Sequence, residues 1–438
     1  MRIFGNDGFR SRFGDKYMTI GFLSAFANAV SNYLLKNKFD APVLIGRDTR
    51  QSGIIIEKLI TAIINYTGIN TESAGIIPTP GLSSILQDGK YSLGIMITAS
   101  HDPAQNNGIK LFGASGLKLD EVTEQGMEND IKQIPPFSIP QFKIIGNHHN
   151  DEKLGKKYAN KTGQLFQQLD MPYKILVDCS NGAYSDIAKL ALKDYKTIQF
   201  IHDKPNGNNI NLNCGALEPE NLLQEVRKNG FDYGVAFDGD GDRAVFVSNK
   251  YGLIETEKLI VLFSQILCDE KASNTVVSAE ICNKGLEKNC EKLSLDLIQT
   301  KVGDRNVVNC VLEKNAIMGA EPSGHYFFPK LSKTMDGLLA LFHFIKILKI
   351  HGNNLTDKLK ALHHYNRIKK DLPAINNSNL VIKHLYEQTN SVIDTEKEKL
   401  IIRNSMWDPV LRIYYDYKSK NNFNKIDRLI TETLKNHT

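Results

Sequence analysis

The sequence predicts an α/β protein of several domains, and three observations lead to this prediction. Short apolar segments that suit buried strands alternate with longer segments whose apolar residues recur at helical spacing, which is typical of βαβ units and mainly parallel sheets. Strands near Ile45, Val177 and Val277 each end in small and polar residues, as expected at the edge of such sheets where ligands bind. At 438 residues the chain exceeds one ordinary core, so we expect about two to four domains.

The first predicted domain covers residues 1–150 and contains a candidate phosphate site. A glycine-punctuated loop over 3–14 carries Arg10, and the next segments alternate as helix 19–36, strand 43–45, helix 53–67 and strand 70–76. The apolar run 93–98 reads as a buried strand that leads into Ser100 and His101, with Lys110 close behind. A hydroxyl, an imidazole and an ammonium together suit phosphate chemistry. A helix-capping serine remains an alternative, and a serine hydrolase is less favoured because no G-x-S-x-G elbow surrounds Ser100.

The second predicted domain, 151–252, contains a candidate metal loop. Its segments are a helix over 154–169, a strand over 174–177, an asparagine-rich loop over 206–215 and a helix over 217–229. Between strands at 233–237 and 244–247 lie Asp238, Asp240 and Asp242, separated by glycines and followed by Arg243. Three carboxylates at alternate positions converge when the glycines let the chain curl, and their oxygens suit a hard cation such as Mg²⁺.

Three other interpretations compete for this acidic loop, and one of them, a solvated acidic turn, is disfavoured because three clustered carboxylates repel each other. An EF-hand would need glycine at its sixth position and glutamate at its twelfth, where this chain has Arg243 and Asn249, and strands rather than helices flank the loop. A phosphatase that uses Asp238 as its nucleophile fits the D-x-D spacing but gives Ser100 no role. The sequence therefore favours a metal site and leaves the phosphatase open.

The third and fourth predicted domains, 253–368 and 369–438, supply further candidate ligand groups. Helices are expected over 257–268 and from 283, around a strand at 275–278, and a linker over 371–379. The residues 301–305 form a charged turn, and the extended or turning segment GAEPSGHYFF, 319–328, places Glu321, Ser323 and His325 at alternate positions. A carboxylate and a hydroxyl suit sugar hydroxyls, and an imidazole can carry protons.

These motifs together resemble those of the α-D-phosphohexomutases. DGDGDR, 238–243, matches the metal loop of that family without departure, and TASHDP, 98–103, resembles its phosphoserine loop. KVGDR at 301–305, GAEPSGH at 319–325 and TMDGL at 334–338 resemble its sugar-phosphate segments, and FGNDGFR and NGNNINLNCG point to the phosphoglucosamine mutase branch. The resemblance implies three related α/β domains with mixed sheets and a smaller C-terminal α+β lid domain around a central cleft.

The resemblance also implies an isomerase that interconverts glucosamine 6-phosphate and glucosamine 1-phosphate through a phosphoserine and a bisphosphate intermediate. Catalytic roles fall to Ser100, which becomes phosphorylated, and to His101, Lys110, Arg10 and Arg243. One Mg²⁺ per chain would be held by Ser100, Asp238, Asp240 and Asp242, and a hexose bisphosphate would serve as activator. The substrate would be bound by Lys301, Gly303, Asp304, Arg305, Glu321, Ser323, His325, Arg403, Ser405 and Arg412.

The C-terminal phosphate motif departs from the family pattern R-x-S-G-T-E-P-x-x-R. Arg403, Ser405, Pro409 and Arg412 match it, whereas Met406, Trp407 and Asp408 replace glycine, threonine and glutamate. The change removes a hydroxyl donor, so a sugar-phosphate-binding homologue with impaired turnover stays an alternative. A phosphomannomutase or a phosphoglucomutase is a second alternative function.

Composition narrows the partners of the protein. The formal net charge is +5, and basic and acidic residues are interleaved, which does not indicate nucleic-acid binding and mildly favours anionic small substrates. The six cysteines include no C-x-x-C pair, and several of them lie in apolar context that is typical of core residues in a reducing compartment. No apolar run suggests a signal peptide or membrane span, so we expect a cytoplasmic monomer or homodimer with a phosphosugar substrate.

Overall fold

The first sheet carries the Ser100 loop and is built mainly from parallel strands. The computed structural model describes residues 2–5, 7–133, 145–167, 169–268, 273–373, 378–389, 392–404, 410–418 and 423–435. The first elements are β1 (Phe9–Arg12), a 3₁₀ turn (Lys16–Met18), α1 (Ile20–Lys36), β2 (Val43–Arg47), α2 (Gln51–Tyr66), β3 (Thr71–Ile76), α3 (Thr79–Leu86), β4 (Leu93–Ile97), β5 (Asn106–Gly113), α4 (Glu121–Gln133) and β6 (His148–Asn150). The strand order is β1-β5-β4-β2-β3-β6, in which β5 runs antiparallel to both neighbours.

The second sheet carries the acidic loop at a hairpin. Its elements are α5 (Lys153–Phe166), β7 (Ile175–Asp178), α6 (Tyr184–Ala191), β8 (Ile198–Ile201), α7 (Pro219–Lys228), β9 (Tyr233–Phe237), β10 (Ala244–Ser248) and β11 (Gly252–Ile254). The strand order is β11-β10-β9-β7-β8, with β9 and β10 antiparallel. Asp238 follows the fully buried β9 directly, so the sheet fixes where the acidic loop begins.

The third and fourth sheets complete the described fold. The third unit contains α8 (Thr256–Cys268), β12 (Thr275–Ala279), α9 (Lys284–Lys292), β13 (Asp296–Thr300), α10 (Asp304–Lys314), β14 (Met318–Glu321), β15 (His325–Phe327), α11 (Gly337–His351), a 3₁₀ turn (Gly352–Asn354) and α12 (Leu355–Ala361), with strand order β13-β12-β14-β15. The fourth contains β16 (Asn366–Pro373), α13 (Ser378–Thr389), β17 (Lys399–Asn404), β18 (Val410–Tyr417) and α14 (Phe423–Lys435), with antiparallel order β16-β18-β17.

The architecture confirms the predicted fold class of three α/β units with mixed sheets and a smaller α+β unit. One continuous apolar core joins the first three units, from Leu82 through Phe237 to Phe344, whereas the fourth unit packs its own core around Leu385 and Tyr415. The domain limits predicted at 150, 252 and 368 remain a proposal, in which Gly252–Ile254 and Asn366–Pro373 each straddle a limit.

The predicted linker over 371–379 is wrong at both ends, because Ser378 and Asn379 begin α13 and residues 371–373 belong to a strand. Asp371, Leu372 and Pro373 belong to β16 and pair with Arg412, Leu411 and Val410. Because β16 is an edge strand, Pro373 at its end need not donate a ladder hydrogen bond, so the proline did not mark a break. Residues 374–377 lie outside the described part of the chain.

Candidate active site

The Ser100 loop leaves β4 in a backbone conformation that its surroundings must hold in place. Ser100 is fully buried and has φ of +51°, in the left-handed region that residues with a side chain rarely adopt. Its carbonyl accepts hydrogen bonds from Arg50 Nη2 (3.2 Å) and Asn211 Nδ2 (2.9 Å). Its N–H donates to Thr98 Oγ1 (2.9 Å). Strain of this kind, fixed by groups from two sheets, is typical of functional loops.

The Ser100 hydroxyl points at the acidic loop. It donates to Asp238 Oδ2 at 2.6 Å, and His101 Nδ1 lies 3.2 Å from Ser100 Oγ. Burial, with the charges of Arg243 and Arg10 nearby, lowers the pKa of His101 to about 2. The imidazole is therefore neutral at physiological pH and can accept a proton beside Ser100.

The three predicted acidic residues converge. One oxygen from each of Asp238, Asp240 and Asp242 lies within 4.8 Å of the others, and all three side chains are buried. Gly241, at φ of +78°, allows the tight turn between them. Burial, with Asp242 and Asp240 beside it, raises the pKa of Asp238 to about 8. Carboxylates crowded in this way need a cation.

The donor set of this acidic loop suits a hard divalent cation. Asp240 Oδ1 is buried and has no hydrogen-bond partner among the described residues, which leaves a free oxygen inside the cluster. Carboxylate oxygens and the nearby Ser100 hydroxyl are the ligand types that Mg²⁺ prefers. The residues present therefore fit a magnesium ion.

A cation of the protein itself already lies in this cluster. Lys110 Nζ is 2.8 Å from Asp240 Oδ2, 2.7 Å from Asp242 Oδ2 and 3.1 Å from Asp7 Oδ2. Burial opposes the charge, but Asp240, Asp242 and Asp7 raise the pKa of Lys110 well above its ordinary value. Lys110 therefore carries an ammonium that can donate a proton and stabilise phosphoryl charge.

Arg10 reaches the same loop from β1. Its guanidinium pairs with Asp7 (Nη2 to Oδ2, 3.1 Å) and Asp102 (Nη1 to Oδ1, 3.4 Å), and Nη1 donates to the Ala99 carbonyl at 3.3 Å. Arg243, from the acidic loop, lies 3.7 Å from Asp238 through its Nε. Both predicted arginines therefore flank the serine and its carboxylate partner.

The predicted sugar-binding loop is joined directly to the acidic loop. Glu321 Oε1 accepts from the Gly303 N–H at 2.8 Å, and Glu321 Oε2 lies 3.0 Å from His325 Nδ1. His325 Nε2 lies 3.1 Å from Asp242 Oδ1, and Ser323 Oγ lies 3.0 Å from His325 Nδ1. Burial and Arg243 oppose protonation, but Asp242 and Glu321 raise the pKa of His325 to about 10.

Two residues of the charged turn, Asp304 and Arg305, contact side chains of the first unit, and no hydrogen bond among the described residues joins them to Glu321 or His325. Asp304 pairs with Lys118, and Arg305 donates to Glu124 Oε2 (2.9 Å) and Oε1 (2.5 Å). Both side chains are buried, whereas Lys301 is exposed. Asp304 and Arg305 thus hold the third unit against the first.

The predicted C-terminal phosphate group is only partly described. Arg403 and Arg412 stand opposite each other on β17 and β18, and Arg412 Nε lies 3.3 Å from Asp371. Ser405, Met406, Trp407 and Asp408 lie outside the described residues. The role predicted for Ser405 therefore stays a prediction.

Several residues that the motifs did not identify build this site. Thr79 donates to Asp240 Oδ2 at 2.5 Å and Asn211 holds the Ser100 carbonyl, while Asp7, Arg50 and Lys118 supply further charges. Thr79 follows β3 and could have been suspected from its place at the carboxyl end of a strand. Asn211 carried no such signal within its asparagine-rich loop.

A second cluster of metal-ligating side chains, Asp178, His202 and Cys214, supports that loop. Asp178 accepts hydrogen bonds from the Ser180 and Gly215 N–H groups and pairs with His202 Nδ1 at 3.1 Å. Asp178 thus joins the turn after β7 to Gly215, at the end of the loop that carries Asn211, and these polar contacts already account for the burial of its carboxylate.

Comparison with known proteins identifies relatives along the whole chain. Sequence models described as phosphoglucomutase/phosphomannomutase α/β/α domains I, II and III match residues 1–136, 156–252 and 255–365. A phosphoglucosamine mutase of Campylobacter hominis is 32% identical over 435 residues, covering 97% of each chain. That of Caldicellulosiruptor saccharolyticus is 32% identical over 431 residues, covering 94% of each.

Solved structures share the fold. A phosphoglucomutase/phosphomannomutase family protein from Burkholderia thailandensis superposes with a TM-score of 0.82 at 20% identity, covering 99% of this chain and 97% of its own. An Aspergillus fumigatus N-acetylphosphoglucosamine mutase, solved with GlcNAc-6P and magnesium, gives a TM-score of 0.65 at 14% identity, covering 100% and 96%. Within the described ranges, no helix combines the length and apolar character needed to cross a membrane.

Proposed function

We infer the reaction of this chain from the family to which it belongs, that of the α-D-phosphohexomutases with phosphoglucomutase/phosphomannomutase domains. The chain is accordingly a phosphosugar mutase, an isomerase that moves a phosphoryl group within a sugar phosphate. Our proposal is that it interconverts glucosamine 6-phosphate and glucosamine 1-phosphate. The 32% identity to curated phosphoglucosamine mutases over nearly the whole chain supports this choice of sugar.

The contact between Ser100 Oγ and Asp238 carries the proposed mechanism. Phosphorylated Ser100 would give its phosphoryl group to a free hydroxyl of the sugar phosphate. The Oγ–P bond breaks, a new P–O bond forms on the sugar, and the product is a bisphosphate. After the bisphosphate turns over, its other phosphoryl group returns to Ser100, which restores the phosphoserine and releases the isomer.

Protons are assigned by the charge states of the neighbouring groups. The attacking hydroxyl gives its proton to a base in the cleft, and His101, a neutral imidazole 3.2 Å from Ser100 Oγ, is our candidate for that base. The Lys110 ammonium donates the proton that the leaving Ser100 oxygen requires. Arg10 and Arg243 stabilise the charge on the phosphoryl oxygens.

Asp238, Asp240 and Asp242, with an oxygen on Ser100, would hold Mg²⁺. When bound, the ion neutralises charge on the phosphoryl group. Glu321, Ser323 and His325 are proposed to bind the sugar, with Lys301, Gly303, Asp304 and Arg305 shaping the same wall. Arg403, Ser405 and Arg412 are proposed to hold the phosphate that does not react. A hexose bisphosphate would prime Ser100.

The proposal also includes a place in the cell. A mutase that forms glucosamine 1-phosphate belongs to amino-sugar metabolism that leads to cell-wall precursors. We propose a cytoplasmic location, with the protein acting as a monomer or homodimer.

A turnover panel tests the reaction. Purified protein with Mg²⁺ and a trace of hexose 1,6-bisphosphate is given glucosamine 6-phosphate, mannose 6-phosphate or glucose 6-phosphate at equal concentration. We expect the amino sugar to be turned over fastest, Ser100→Ala to be inactive, and mass spectrometry to find the phosphoryl group on Ser100. A preference for a neutral sugar would change the substrate assignment. Steady release of inorganic phosphate would instead indicate a phosphatase, and substrate binding without turnover would indicate an inactive homologue.

A further inference from the structure

Lys118 joins the third unit to the catalytic centre through two ion pairs, a buried one with Asp304 and a partly buried one with Asp7. Its side chain, 5% exposed, lies between Asp7 of the N-terminal loop and Asp304 at the start of α10. Burial opposes the charge, but Asp304 and Asp7 raise the pKa of Lys118, so the ammonium persists between them. Lys118 itself is on the segment between β5 and α4, where its backbone pairs with Phe112.

From Lys118, charges of alternating sign lead to the acidic loop. Asp7 contacts Lys118 through Oδ1, and through Oδ2 it lies 3.1 Å from both Lys110 Nζ and Arg10 Nη2. Lys110 in turn pairs with Asp240 and Asp242 at 2.8 and 2.7 Å. Lys118 therefore pairs with one carboxylate oxygen of Asp7, and Lys110 and Arg10 pair with the other.

A neighbouring ion pair, between Glu124 and Arg305, attaches the third unit to the first with no contact to the catalytic centre among the described residues. Glu124 and Arg305 join the same two segments, with both side chains under 8% exposed and two hydrogen bonds between them. This pair already fastens α10 to α4, and its described contacts do not include Asp7 or Lys110. Lys118 pairs with Asp304, one residue before Arg305, but unlike the Glu124–Arg305 pair it also contacts Asp7 and so connects the third unit to Lys110.

We propose that Lys118 is a positioning residue that couples the seating of the third unit to the placement of Lys110. When Asp304 is in place, Lys118 balances one oxygen of Asp7, and the other oxygen shares Lys110 with the acidic loop. Without Lys118, the partly buried Asp7 carboxylate draws Lys110 and Arg10 toward itself and away from Asp240, Asp242 and the Ser100 loop. This inference rests on the proposed mutase function, because it assigns Lys110 a task there.

Two matched variants separate positioning from attachment. Lys118→Met leaves Asp7 and Asp304 without their shared cation, and Glu124→Met leaves Arg305 without its carboxylate, so both should lower the urea midpoint. Only Lys118→Met should lower kcat, by about tenfold to a hundredfold, with a much smaller change in KM for the sugar phosphate. Lys118→Arg should recover most of kcat because it keeps the charge. Lys118→Gln replaces Lys118→Met throughout if the methionine variant does not fold.

A stability cycle tests the same coupling without turnover. The urea midpoint shifts of Asp7→Asn and Lys118→Met should be strongly non-additive in the double variant, whereas those of Asp7→Asn and Glu124→Met should add. Equal losses of kcat in Lys118→Met and Glu124→Met, or additive shifts for Asp7 and Lys118, would overturn the proposal. A wild-type chain without turnover would sink the proposed function alone, since the stability cycle still decides the coupling.

Discussion

Binding of Mg²⁺ should release a proton from the acidic loop near neutral pH. In the metal-free chain, burial and the neighbouring Asp242 and Asp240 raise the pKa of Asp238 to about 8. At pH 7 that carboxyl is therefore mostly protonated, and a cation that binds its ionised form displaces close to one proton. The direction follows from the sign of the shift, because a raised pKa means that the free site holds the proton that the ion must replace.

The affinity for Mg²⁺ should consequently depend on pH on the acid side of that pKa. From pH 6 to pH 7 the dissociation constant should fall by close to tenfold, and above pH 8 it should become nearly constant. Proton release is measured directly by titration calorimetry at pH 7 in two buffers of different ionisation enthalpy. The Asp238→Asn variant has no carboxyl to titrate and should bind Mg²⁺ weakly, without the proton signal.

Two results would refute this reasoning. A dissociation constant that is the same at pH 6 and pH 8 would mean that Asp238 is ionised in the free protein, so that Lys110 and Arg243 already neutralise the cluster. Proton release that persists in Asp238→Asn would place the titrating group elsewhere in the site.

Three further predictions concern the groups that hold the site and the fourth unit together. Asn211→Ala removes the amide that donates to the Ser100 and Asp102 carbonyls. This variant should lower kcat by about tenfold to a hundredfold in the turnover assay and leave the Mg²⁺ affinity within about twofold. An unchanged kcat would mean that Arg50 alone fixes the loop. Asp416 accepts hydrogen bonds from Arg367 and from the Lys284 N–H at the contact between the fourth unit and α9. Asp416→Ala should destabilise that contact by about 3 kcal/mol, which limited proteolysis would detect as faster cleavage beyond residue 366. A wild-type cleavage rate would contradict this prediction. Burial opposes ionisation of Glu287, but Lys399 and Lys284 lower its pKa. The contribution of Glu287 to stability is therefore present above its ordinary pKa of 4.5 and is lost as the pH falls through the lowered pKa. Lys399→Met should weaken the dependence of the urea midpoint on acid pH, and an equal dependence in both proteins would exclude this ion pair as its source.

The sequence was sufficient to predict the chemistry that lies within single loops. Asp238, Asp240 and Asp242 occupy alternate positions of one turn, and Ser100 and His101 are neighbours, so spacing alone brings each group together. The strands around them are short apolar runs with polar ends, and β9 was predicted with its observed bounds. Local patterns therefore determined these parts of the site.

The contacts between loops could not be predicted in this way. Lys118 meets Asp304 across 186 positions of the chain, and Thr79 meets Asp240 across 161, so only the packing of separate sheets reveals them. The helix Thr79–Leu86 was missed because Pro80 and Gly81 resemble turn residues, although proline is well suited to the first turn of a helix. The strand Asp296–Thr300 was missed because it is partly exposed and lacks a continuous apolar run.

The division of the apolar core has a consequence for how the bisphosphate can turn over. Ser100, Lys110 and the acidic loop come from units that share one core, so they form a rigid base on which phosphoryl transfer can be repeated at the same place. Arg403 and Arg412 belong to the unit that packs its own core and contacts its neighbour through polar groups such as Arg367 and Asp416. An intermediate that must reverse its ends needs one phosphate to be released while the other groups stay in register. We therefore expect the fourth unit to loosen during turnover while the first three remain fixed.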